Sequence, residues 1–197
     1  WAAPDLERKL GKPALSHTLA GRVSSYFCQR YGFSMQCAVI TFSGDNPCSL
    51  AGLQMKEGDI AISLGTSDTM FGPLTDPKPQ LEGHVFCNPI KPDGYMALLC
   101  YKNGSLTRED VRDKFVEGDW NTFNEVLHKT PPGNNGNIGF YFKETEITPK
   151  SPPGIFRFTE KQAFVSQFSN PTSNVRAVVE GQFLSMLIHS SNIGMKA

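Results

Sequence analysis

Cys37-Ala38-Val39-Ile40-Thr41-Phe42-Ser43-Gly44-Asp45-Asn46-Pro47 begins as a β-branched and aromatic run and turns within a few residues into small polar ones and a proline. A run of that kind between polar and glycine residues predicts a short buried strand over 37–42. Asp and Asn are favoured helix N-caps, and proline suits the first helical position, where its missing N–H costs nothing. A helix through Leu50, Leu53 and Met55 is therefore expected to follow and to break at Glu57-Gly58-Asp59. Downstream, Ile60-Ala61-Ile62-Ser63-Leu64 predicts a second strand, and Gly65-Thr66-Ser67-Asp68 a turn of small hydroxylated residues. Thr69 to Phe71 then returns as the other arm of a hairpin.

The same alternation extends both ways. Upstream, Pro4 to Gly11 reads as a short helix, and Val23, Tyr26, Phe27 and Tyr31 recur at three- and four-residue steps, predicting a helix over 21–31 that Gly32 caps. Downstream, strands are expected near 83–88 and 95–101, joined by Lys91-Pro92-Asp93-Gly94. A helix follows over about 106–116, and Asp119 can cap another with Trp120, Phe123, Val126 and Leu127 on one face. The segment 130–137 is a loop, 138–142 a strand, and 148–154 a proline-rich surface stretch. A long helix over about 172–190 closes the pattern, with Val175, Val178, Val179, Leu184, Met186 and Leu187 as its apolar residues. Strands alternating with helices define an α/β protein.

Composition narrows the function. The chain has 197 residues, 39% of them hydrophobic and 11% aromatic, enough to fill a packed core. Nineteen basic residues balance nineteen acidic ones, which gives no electrostatic support for nucleic acid or an anionic membrane surface as partner. No stretch approaches the ~20 apolar residues of a spanning helix, and Trp1-Ala2-Ala3-Pro4-Asp5 has no signal-peptide character. Cys28, Cys37, Cys48, Cys87 and Cys100 form no CxxC spacing. They are expected to be buried, reduced thiols, which fits the cytosol. His17, His84, His128 and His189 have no carboxylate or cysteine at ligand spacing, so no protein metal site is expected, and no Walker loop occurs.

Two places can carry chemistry. Asp45 sits where a strand ends and a helix begins, and ligands of α/β folds gather at such strand ends. A carboxylate there can take the proton of a substrate hydroxyl as its oxygen attacks phosphorus, an effect of ~10²–10⁴ in rate. Equally, Asp45 can be no more than an N-cap. Twenty residues on, the Gly65–Ser67 turn can admit a phosphate closely, glycine giving access and the hydroxyl and N–H groups donating. It can also be an ordinary hairpin turn. Together they form a pair suited to phosphoryl transfer.

On those residues the chain resembles the FGGY carbohydrate kinases, and within them the eukaryotic xylulose-phosphorylating branch. The resemblance rests on Gly44-Asp45-Asn46-Pro47 with Ser49-Leu50-Ala51-Gly52, and on Ile60 through Thr69. Glu82 through Pro89, Tyr95 through Leu106, Gly136 through Phe142 and Val175 through Phe183 extend it. It implies an actin-like, ribonuclease-H-like α/β ATPase fold, with residues 1–43 ending a sugar-binding domain and 44–197 beginning a nucleotide-binding one. The implied activity is ATP-dependent phosphorylation of D-xylulose, with ATP and Mg²⁺ as cofactors, the magnesium held chiefly by phosphates and water. By this resemblance Asp45 is the catalytic base, Asp45 and Asn46 bind sugar, and Gly65 and Thr66 face the ATP phosphates. Trp120 lines the nucleotide site, unless it is only the core-facing start of a helix, and Gly104 with Ser105 approaches the nucleotide.

Several family features have no counterpart in the sequence: the N-terminal phosphate loop of the first domain, the sugar-binding residues that precede this region, and the adenine-binding turn expected after the last helix. The chain therefore reads as a central piece that falls short of full catalysis alone. Cys48 replaces a residue that is commonly small, a mild change. The alternatives are an FGGY kinase for another sugar or polyol, or a non-catalytic sugar- or nucleotide-binding relative. The sequence does not indicate an oligomeric state.

Overall fold

A computed structural model describes residues 4–195. Trp1, Ala2, Ala3, Lys196 and Ala197 lie outside them, and with them most of the N-terminal stretch read above for signal-peptide character. The chain divides into two compact units, one ending at Leu53 and the other beginning at Gln54. The sequence boundary at 43/44 and this packing boundary differ by one helix.

In the first unit, helix α1 (Leu6–Leu10) precedes strand β1 (Leu19–Arg22), helix α2 (Ser25–Tyr31), strand β2 (Ala38–Ile40) and helix α3 (Asp45–Gly52). β1 and β2 pair antiparallel, with Gly21 opposite Val39 and Arg22 opposite Ala38. The helix expected over 21–31 is thus shorter than its apolar spacing suggested. Ser24, in extended conformation, stops it growing backward, and Gly32 at φ 72° ends it with its N–H on the Cys28 carbonyl. The strand expected to be buried over 37–42 is exposed within this unit. A two-stranded ribbon has no second layer to bury against, so β-branched composition alone does not ensure enclosure.

Helix α3 also departs from expectation at both ends. Asp45 is its first residue rather than its cap; Gly44 caps it with extended backbone. Pro47 sits third, still among the first four donors that a helix leaves unpaired. The helix stops at Gly52 instead of running to Met55, with Leu53 as C-cap and Gln54 in the left-handed region at φ 54°.

The second unit begins with strands β3 (Ala61–Leu64), β4 (Asp68–Leu74), β5 (His84–Cys87) and β6 (Tyr95–Tyr101). They form one antiparallel sheet in the order β3-β4-β6-β5. Pairing of Leu64 with Asp68 leaves Gly65-Thr66-Ser67 as the hairpin turn. Next come α4 (Ser105–Phe115) and α5 (Trp120–Lys129), then a single 3₁₀ turn within the expected loop. Strands β7 (Ile138–Phe142), β8 (Glu146–Ile147), β9 (Lys150–Ser151), β10 (Gly154–Phe158) and β11 (Phe164–Val165) follow, before the long helix α6 (Ser173–Ile193). β11, β10 and β7 make a second antiparallel sheet. Neither β10 nor β11 is foreseen in the sequence, because the prolines before them obscure the alternation of Gly-Ile-Phe-Arg-Phe.

Helix α6 serves two cores. Its Val175, Ala177 and Val178 join Val111, Val116, Phe123, Tyr141 and Phe168. Its Met186 and Ile193 join Met70, Leu74, Leu99 and Tyr101 above the first sheet. Leu184 and Leu187, expected on its apolar side, are 40% and 49% exposed. The helix can approach β7 this closely because of glycine: a Cβ at Gly181 would run into the Gly139 carbonyl oxygen. The cysteines are free thiols, but they are not buried as expected: Cys87 is exposed and the rest are half-buried. No helix among the described residues is long and apolar enough to cross a membrane.

Gly181→Ala should destabilise the protein by about 1–3 kcal/mol or more, since the carbonyl facing it is backbone and cannot swing aside. Urea unfolding, read as a lower midpoint at unchanged slope, checks it.

Candidate functional site

The candidate residues fall into both units. Asp45 and Asn46 open α3 directly after the Thr41–Gly44 connection from β2, so the strand-end, helix-start setting read from the sequence is present. Asp45 is exposed and Asn46 half-buried. The Asn46 N–H and its side-chain amide both donate to Asp45 Oδ1, at 2.8 and 3.2 Å. The carboxylate is thus oriented through one oxygen by its neighbour, while the other can meet a ligand.

In the second unit, four predicted residues come together. The Gly104 N–H donates to the Thr66 carbonyl (3.2 Å), and the Ser105 N–H donates to the Gly65 carbonyl (2.7 Å). The turn thereby spends its carbonyl oxygens on the start of α4, whereas the N–H groups of Thr66 and Ser67 enter none of the backbone hydrogen bonds that close it. Successive free N–H groups on a turn are the raw material of an anion-binding nest. Gly104 is required by this packing. A Cβ there would lie 2.6 Å from the Gly65 oxygen and 2.8 Å from both the Thr66 oxygen and an Asp68 carboxylate oxygen.

Around that turn lies a polar network absent from the sequence reading. Asp68, fully buried, is held by Arg108 through two bonds of 2.6 and 3.0 Å. Glu146, 2% exposed, accepts the Lys102 N–H (2.7 Å), the Asn103 N–H (3.1 Å) and the Asn103 side-chain amide (2.9 Å). It thereby fixes the connection from β6 to α4. Asp68 and Asn103 stand within segments noted in the sequence, but their partners are some forty residues away and no local spacing signals them. Burial, reinforced by Glu146 and Asp68, holds the Cys100 thiol above its ordinary range. That disfavours the reactive thiolate.

Trp120 makes its ring contacts elsewhere, with residues of α4 and α5. Its indole packs edge-on against buried Phe123 at 5.2 Å, and the Arg112 guanidinium lies 4.7 Å over its face. It is 42% exposed, so the indole makes a packing contact and presents surface to solvent. Just before it, Asp119 caps α5, accepting the Asn121 and Thr122 N–H groups and the Thr122 hydroxyl. Among the described residues, no three or more His, Cys, Asp or Glu side chains cluster as a metal site.

No protein-family model matches the chain. A xylulose kinase from Mus musculus is 53% identical over 194 residues, 98% of this chain and 35% of that protein. Xylulose kinase 2 from Arabidopsis thaliana is 50% identical over 205 residues, covering 98% of this chain and 37% of that one. Among solved structures, xylulose kinase from Bifidobacterium adolescentis superposes with a TM-score of 0.65 at 26% identity, over 80% of this chain and 30% of that one. The mixed helix-and-sheet architecture is therefore part of the actin-like ATPase fold of the FGGY carbohydrate kinases. In sequence, the chain is a homologue of the xylulose kinases. It spans about 35% of the length of those curated relatives.

The three hydrogen bonds to Asp119, led by the Thr122 hydroxyl, hold its carboxyl below the usual carboxylate range. A lowered folded value means that the unfolded chain binds more protons on acidification, so the cap stabilises fully above the unfolded value of about 3.9 and is lost below it. Asp119→Ala should lower the unfolding free energy near pH 7, and its difference from wild type should shrink as pH falls through about 4. Denaturant titrations of both proteins at several pH values check the trend.

Proposed function

We propose that this chain is the central part of a kinase that phosphorylates D-xylulose to D-xylulose 5-phosphate. The homology to xylulose kinases across nearly the whole chain carries this reading, and the clamped Gly65–Ser67 turn supports it. In this reading, residues 1–43 close a sugar-binding domain and residues 44–197 begin a nucleotide-binding one.

ATP, with Mg²⁺ carried on its phosphates, supplies the transferable phosphoryl group. The fit is to the turn: small residues, uncommitted N–H groups at Thr66 and Ser67, and Gly104 packed beneath. Gly65 and Thr66 hold the terminal phosphates by N–H and hydroxyl donation, which stabilises charge without any covalent step. Asp45 takes the proton of the sugar hydroxyl as that oxygen forms its bond to phosphorus and the bond to the departing ADP breaks. Asn46, already oriented against Asp45, offers an amide to a neighbouring sugar hydroxyl. Trp120 gives the nucleotide a half-exposed indole. The reading is of a cytosolic enzyme acting on a small sugar.

Two other readings remain distinct in test. A kinase for another sugar or polyol would consume ATP with a different member of a substrate panel, and a non-catalytic relative would bind without consuming any. In a full-length protein carrying this sequence, ATP consumption should be fastest with D-xylulose. Asp45→Asn should lower turnover by ~10² or more while sugar affinity stays within about an order of magnitude; near-normal turnover would remove Asp45 from the base role. Trp120→Ala should raise the KM for ATP by about 10-fold. If only its melting temperature falls, Trp120 is a packing residue.

A further inference from the structure

Gln182 is a single amide on α6 that joins two parts of the turn's support, the arginine behind Asp68 and the segment leading into α4. Its Oε1 accepts from Arg108 Nη1 at 2.8 Å. Its Nε2 donates to the Asn103 carbonyl at 2.8 Å and lies 3.4 Å from the Gly104 carbonyl. The two ends are not interchangeable. A guanidinium is a pure donor and a carbonyl a pure acceptor, so the amide has one orientation that satisfies both. Arg108 in turn holds Asp68, the residue after the turn, while Gly104 and Ser105 donate to the turn's carbonyls. The preceding residue, Gly181, is where α6 lies close against β7, so the depth at which Gln182 projects is set by backbone packing.

We propose that Gln182 is a positioning residue for the Gly65–Ser67 turn and that it sets affinity for the phosphates of the nucleotide rather than for the sugar. This rests on the reading of that turn as the phosphate-facing one. Through Arg108, Gln182 fixes Asp68 and hence the last residue of the turn. Through the Asn103 and Gly104 carbonyls, it fixes the segment on which the first two rest. Nest-like donors act on an anion only when several N–H groups converge on it. A rigid backing therefore affects phosphate binding more than it affects the fold, where one hydrogen-bonded side chain is worth only a modest amount.

The test uses a full-length protein with Gln182→Leu, which keeps the bulk of the side chain but neither bonds Arg108 nor donates to carbonyls, and with Arg108→Lys, which replaces a two-pronged contact by a point charge. Each should raise the KM for ATP by about 10-fold, as a small displacement of a binding group can. The KM for the sugar should stay within about threefold in both, and the melting temperature of Gln182→Leu within a few degrees; Arg108→Lys, which meets buried Asp68 less well, should melt lower. Direct titration of ATP without sugar should show the same loss. Unchanged ATP affinity in Gln182→Leu, or an equal loss for ATP and sugar, overturns the proposal. Gly104→Ala separates the levels. If it weakens ATP binding while Gln182→Leu does not, the turn binds phosphate and only the role of Gln182 fails. If wild type neither binds nor consumes ATP, the kinase reading fails and this inference with it.

Discussion

Taking a carboxylate out of water costs several kcal/mol unless a partner of matching geometry meets it, and Asp68, fully enclosed at the end of the hairpin turn, imposes that requirement on its surroundings. Arg108 meets it with a fork of two bonds, the geometry that makes guanidinium–carboxylate pairs both strong and directional. That arginine stands on helix α4, which starts beside the turn, and the N–H groups of its cap Gly104 and first residue Ser105 find acceptors in the turn itself. One buried charge thus ties the path of the hairpin, the start of a helix and the absence of a side chain at Gly104 into a single arrangement.

A similar economy appears in α6. Its N-terminal half packs into one hydrophobic cluster and its C-terminal half into the other. Between them, Gly181 lets the helix settle against β7, and Gln182 turns that closeness into hydrogen bonds. The helix is therefore a packing wall along most of its length and a polar support at one residue. Glu146 does the corresponding work from the small β8–β9 hairpin, gripping the loop that leads into α4.

The local rules in the sequence were informative where neighbours along the chain decide the outcome. The hairpin around Gly65–Ser67, the Asp119 cap and the Gly32 stop all follow from turn and cap chemistry acting within a few residues. Burial was less legible. Val39 and Ile40 look like core residues but sit on a two-stranded ribbon that encloses nothing, and Leu187 shares its helix's apolar character yet remains half-exposed. Both depend on whether another layer arrives, which one-dimensional spacing does not encode. The same limit hid the Asp68–Arg108–Gln182 and Asn103–Glu146 connections. Asp45 and Gly65–Thr66 stand out as a pair of motifs, whereas the residues that hold Gly65–Thr66 in place are ordinary polar side chains at long range.

That α6 closes both clusters also bears on how the chain is made. Synthesis proceeds from the N-terminus, so Met70, Leu74 and Leu99 emerge from the ribosome well before Met186 and Ile193 arrive to cover them. Until then the four-stranded sheet presents an uncovered apolar face, a state in which nascent chains are prone to stick together and to engage chaperones.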